Sequence, residues 1–123
     1  MISMARRLVF ATVALAACGA APAAVPEAGR HTAQLCVATQ AGKPPSCGPA
    51  QVDVRGDGTM RVRVDDVVYS LQLRSSQVDV VVMHNVVRID EFTASYEWAG
   101  SALTFNDSER QSRYEVRFEP RKR

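Results

Sequence analysis

The stretch Gln51–Val80, QVDVRGDGTMRVRVDDVVYSLQLRSSQVDV, alternates apolar and polar residues and is cut at short intervals by Gly, Asp and Ser. A period of two marks half-buried strands, and the interrupting residues are those that tight turns favour. Turn length can be tested against side-chain parity, because a one-residue slip would turn every core side chain outward. A three-residue loop at Gly56-Asp57-Gly58 sets Val52 opposite Val62 and Val54 opposite Met60, with Asp53 meeting Arg61 on the other face. A two-residue turn at Asp65-Asp66 sets Val62 opposite Tyr69 and Met60 opposite Leu71. Another at Ser75-Ser76 sets Leu73 opposite Val78 and Leu71 opposite Val80.

Extending the meander toward the C-terminus, a turn at His84-Asn85 sets Val82 opposite Val87 and Val80 opposite Ile89. This register also opposes Asp79 to Asp90, a repulsive pair. Parity then changes, since Val87 and Ile89 are odd-numbered whereas Phe92, Ala94, Tyr96 and Trp98 are even-numbered. A bulge or corner near Asp90-Glu91 would reconcile the two rows. Two further strands are expected around Leu103 and Phe105 and around Tyr114, Val116 and Phe118, joined by the polar loop NDSERQSR. With a first strand over Leu35 to Val37, the fold class is all-β: one small antiparallel meander barrel or sandwich of about eight strands, with no helix, internal repeat or second domain.

The N-terminus has the layout of an export signal, with Arg6 and Arg7 before an apolar run from Leu8 to Ala17. That run is shorter than the roughly 20 residues a membrane-spanning helix needs. Leu15-Ala16-Ala17-Cys18 resembles the lipobox of bacterial lipoproteins. The resemblance covers these residues and the signal alone. It implies cleavage before Cys18 and lipidation of that cysteine, and Gly19, in place of an aspartate, implies the outer membrane facing the periplasm. The competing site, Ala21-Pro22-Ala23, would remove Cys18 and release a soluble protein. The expected organisation is a signal peptide over 1–17, lipidated cysteine and tether over 18–30, the β domain over 31–119, and a basic tail over 120–123.

Without Cys18 the chain retains Cys36 and Cys47, an even pair suited to an oxidising compartment. They bracket VATQAGKPPS, a loop broken by Gly42, Pro44 and Pro45, and a disulfide is expected between them. Their spacing does not suit a metal knuckle.

Charge excludes little. Removing Arg6 and Arg7 from the 15 basic residues leaves a balance against the 13 acidic ones. There is no basic stripe or recognition motif for nucleic acid. His31 and His84 are placed at the mouth of the first strand and in a turn, both on the surface. Adjacent Asp90 and Glu91 would project to opposite faces of a strand, which argues against a catalytic pair. No nucleophile elbow or phosphate loop is present in the sequence, so a non-catalytic protein without cofactor or metal is expected. Arg55-Gly56-Asp57 spells an adhesion tripeptide but has the composition of a hairpin turn.

Phe92, Tyr96 and Trp98 share one strand face, as core or as an anchor for a partner. Val81, Met83 and Val86 form a second patch on the opposite face. The expected function is a lipid-anchored envelope module that contacts the membrane through its N-terminal lipid and binds a protein or envelope component. The alternatives are a structural accessory subunit of an envelope assembly and a lysozyme-inhibitor-like secreted β-barrel protein. In architecture the expected fold is similar to the small bacterial lipoproteins that inhibit host lysozymes, although none of that family's motif residues carries over.

Overall fold

The computed structural model describes residues 25–39 and 42–120. Cys18, the signal and the tail Arg121-Lys122-Arg123 lie outside them. Eight antiparallel strands follow one another in a closed barrel: β1 Gly29–Ala38, β2 Ser46–Val54, β3 Thr59–Val64, β4 Val67–Leu73, β5 Gln77–His84, β6 Val87–Ala99, β7 Ala102–Asp107 and β8 Ser112–Phe118. An even number of up-and-down strands lets the first and last meet antiparallel. Here Ala33 faces Phe118 and Val37 faces Tyr114, which removes both sheet edges at that junction.

The registers of the first three hairpins match the sequence reading. Val52 faces Val62, Met60 faces Leu71, and Leu71 faces Val80. Gly58 holds φ +88°, and a Cβ there would stand 3.0 Å from the Leu73 carbonyl oxygen, so the β2–β3 turn requires glycine. The adhesion-like tripeptide is this turn, in which the Thr59 amide donates to the Asp57 carboxylate at 3.0 Å.

The β5–β6 register differs from expectation. The turn is Asn85-Val86, with Asn85 at φ 56°, and His84 faces Val87. Ile89 is then skipped in a bulge, so that Val82 faces Asp90 and Val80 faces Phe92. Val87 and Ile89 consequently lie outside the core at 58% and 51% exposure. The shift replaces the repulsive Asp79–Asp90 pairing with Asp79 opposite Thr93, whose hydroxyl donates to it at 2.8 Å. That hydrogen bond, together with Arg74, holds the Asp79 carboxyl below the usual carboxylate range.

β1 and β2 are longer than expected. β1 begins at Gly29, within the segment read as tether, and β2 begins at Ser46, so Cys36 and Cys47 are direct cross-strand partners with Cα atoms 4.0 Å apart. Their disulfide therefore joins two strands at the base of the loop. Pro49 is tolerated because β3 pairs only with Gln51–Val54, so that among the described residues its side of β2 has no ladder neighbour.

The interior is filled by the inward rows, with Val62, Val78, Val80, Leu103 and Val116 fully buried. At the end where the chain enters and leaves, His31 corrects its expected surface position: it is buried, packs edge-on against Phe118 at 5.6 Å and donates from Nε2 to the Glu27 carbonyl at 2.7 Å.

Because the disulfide ties down the end of β2 that β3 does not pair, Cys36→Ala with Cys47→Ala is expected to cost about 2–3 kcal/mol. Urea denaturation of the oxidised protein and the double variant measures this, with the far-UV spectrum retaining its β signature.

Candidate functional site

Two ladders stop short at the end of the barrel opposite the termini. β2 continues past the last β2–β3 pair, Gln51 with Arg63, and β6 and β7 pair only from Tyr96–Phe105 to Ala99–Ala102. Residues 87–95 of β6 pair with β5 on one side only, and among the described residues no backbone partner occupies the other. This is a free strand edge, the feature that proteins ordinarily cover or protect. Below it, Ser95, Tyr96, Glu97, Thr104, Phe105, Asn106 and Arg113 line a hollow of about 180 Å³ where the strands part.

Side chains close the inside of this seam where hydrogen bonds do not. Tyr114 stacks on Phe105 with centroids 5.1 Å apart and on Phe92 at 5.8 Å, and Tyr69 meets it edge-on at 5.8 Å. Each ring comes from a different strand, so the stack joins β4, β6, β7 and β8. Above the rings, Arg110 in the β7–β8 turn spans the gap. Its Nε lies 3.1 Å from Asp90 Oδ2 on β6 and 3.8 Å from Asp107 Oδ2 on β7. Asp107 is only 2% exposed, and Oδ2 accepts no hydrogen bond, so the guanidinium is its compensating charge. Burial, the neighbouring Tyr69 and the two carboxylates push the Tyr114 hydroxyl up to about 12, and burial raises Tyr69 as well.

The three aromatic residues singled out from the sequence take different places. Phe92 belongs to the ring stack. Tyr96 donates its hydroxyl to the Arg74 carbonyl, and Trp98 packs on Phe118 at 6.0 Å near the termini. All three are half-buried and packed against the core. Of the second patch, Val81 and Met83 are half-buried, whereas Val86 at the hairpin tip is 89% exposed beside Val87 and Ile89. Asp90 and Glu91 do part, Asp90 to Arg110 and Glu91 to Arg88. His84 is exposed.

The sequence reading places Asp107, Ser112 and Arg110 in the polar loop NDSERQSR. Parity contained the signal: Leu103, Phe105 and Asp107 form one alternating row, and Asp107 faces Ser112 across the ladder. Continuing the alternation into the polar stretch places a carboxylate inside the barrel.

Removing Arg110 leaves a buried carboxylate without its counter-charge. Arg110→Ala is expected to lower stability by about 1–3 kcal/mol, and adding Asp107→Asn to recover most of that loss, as a double-mutant cycle in urea would show. A second expectation concerns pH. The Tyr114 hydroxyl has its folded value raised from 10.0 to about 12, so its contribution is intact below pH 10 and disappears as pH rises toward 12. Melting temperatures should fall across that window, and less steeply in Tyr114→Phe.

No protein family, curated protein or solved structure matches the chain.

Proposed function

We propose that this chain is a non-catalytic, lipid-anchored module of the bacterial cell envelope that binds a protein partner at the splayed end of its barrel. The observation that carries the binding reading is the unpaired edge of β6 over residues 87–95, next to exposed Val86, Val87 and Ile89. An extended segment of a partner can add to such an edge through main-chain hydrogen bonds, with side chains entering the hollow below for selectivity. The Ile89 bulge and the Arg88–Glu91 ion pair restrict indiscriminate strand addition at the start of the edge. The lipid anchor rests on the lipobox-like residues ending in Cys18, and the Cys36–Cys47 disulfide suits the oxidising space outside the inner membrane.

The exposed apolar tip also favours a second reading, a structural accessory subunit seated permanently in an envelope assembly. The two readings differ in lifetime of the contact. An accessory subunit co-migrates with its complex in native gels, whereas a binding module exchanges.

Intact mass of the membrane-bound product is expected to correspond to a chain starting at Cys18 with added acyl groups; a soluble chain starting near Ala24 overturns the anchor. The acylated protein is expected to capture a protein from envelope extracts. Ile89→Asp or Val87→Asp should weaken that capture at least tenfold while changing stability by no more than about 0.5 kcal/mol, since both side chains are exposed. Capture unchanged by these substitutions, or no better than by denatured bait, removes the edge as the binding surface.

A further inference from the structure

The outer wall formed by β1 to β4 carries a separate feature. Arg30, Gln51, Asp53, Arg61, Arg63 and Val68 enclose a groove of about 80 Å³. A more open hollow of about 370 Å³ shares the walls Gln51 and Arg63 with it and reaches Pro49 and Asp65, where β2 leaves β3. The registers explain how the arginines gather. Arg61 stands opposite Asp53 and Arg63 opposite Gln51, while Arg30 flanks Asp53 from the other side. Arg61 and Arg63 are two positions apart on one strand, so their side chains leave the same face about 7 Å apart.

The charges in this groove do not balance. Asp53 lies 3.7 Å from Arg30 Nε, and among the described residues neither Arg61 nor Arg63 forms an ion pair. Arg63 instead faces Gln51 on one side and Val68 on the other. Two arginines on one strand face thus line a small hollow together with the neutral amide of Gln51.

We infer that this groove binds a phosphate-type oxyanion, with Arg61 and Arg63 as the charged donors and the Gln51 amide as a neutral one. Guanidinium forks match the paired oxygens of such an anion, and a group with several oxygens can accept from both forks at once. Asp53, already beside Arg30, orients that side of the groove and limits it to a compact anion. The oxyanion has two available sources, an anionic lipid headgroup and free phosphate. Arg30 is the second residue of β1, so one wall of the groove lies near the end of the barrel where β1 begins. Preference for the headgroup rests on the lipid-anchored reading, whereas the oxyanion site itself does not.

The test uses the full chain carrying Cys18→Ser, which removes acylation without touching the barrel. Inorganic phosphate is titrated while amide shifts are followed by NMR. Flotation is measured with vesicles of phosphatidylglycerol in phosphatidylcholine and with phosphatidylcholine alone. The comparison is between Arg61→Gln with Arg63→Gln and a control of equal charge change, Lys43→Gln with Arg117→Gln. Phosphate-induced shifts confined to β2 and β3 and lost only in the arginine variant support the site. An accompanying loss of about 30-fold in binding to the anionic vesicles, absent from the control, makes the headgroup the source. The same shifts with equal vesicle binding by both variants make free phosphate the source. No localised shift, or equal losses in the two double variants, overturns the inference, because general charge attraction then suffices. A chain that proves not to be acylated in its host overturns the anchor and leaves this outcome untouched.

Discussion

The constraint on which the remaining structure depends is the period-two inward row, continued around a closed ring of eight strands. A small barrel has room for side chains only in its interior, so every strand must supply apolar residues of compatible volume at the same height. Val52, Val62, Tyr69 and Val82 meet these demands across successive ladders. Where the alternation would fail, the backbone gives way. At Ile89 the bulge discards one residue so that Phe92 and Ala94 fall on the inward row. A core side chain lost from each remaining ladder pair would cost far more than one exposed isoleucine.

At the end opposite the termini the β2–β3 and β6–β7 ladders both stop short, and the two are stabilised differently. The free segment of β2 is tied to β1 by Cys36–Cys47. The free segment of β6 is held to β7 and β8 by stacked rings and by one arginine between two carboxylates. The covalent tie is insensitive to salt. The second tie is not, since it joins an exposed guanidinium to a buried acid through a single turn. The β6 edge, paired on one side only, accordingly opens with less disruption of backbone hydrogen bonds than a strand paired on both sides.

Most of the fold was legible because turn length and parity constrain each other. Three hairpin registers followed from Gly56-Asp57-Gly58, Asp65-Asp66 and Ser75-Ser76, each of which puts apolar residues opposite apolar residues. The fourth failed because His84-Asn85 and Asn85-Val86 are both acceptable turns, and only the bulge chooses between them. The opposed Asp79 and Asp90 marked the error in advance. Pairing beyond the hairpins was less visible. The length of β2 depends on Cys47 reaching Cys36, and Pro49 in the sequence argues against a strand unless one side of it is known to be open. The candidate site was nearly invisible, because it is made by ladders that end, and the end of a ladder leaves no pattern in either strand alone.

Those endings also set the direction in which an anchored molecule would face. β1 begins at Gly29 at the end of the barrel where β8 finishes at Phe118, whose amide donates to the Ser101 carbonyl. A lipid on Cys18 would be joined to this end by eleven residues up to Gly29, a reach of at most about 40 Å. The tip at Val86 and the β6 edge lie at the opposite end, so attachment and recognition would not compete for the same surface. The arginine groove lies on the wall between them, with Arg30 among its lining residues. An oxyanion of the membrane surface bound there would tilt the barrel against the headgroups. The β6 edge would then stand clear on the far side, where an extended segment of a partner can approach without displacing the anchor.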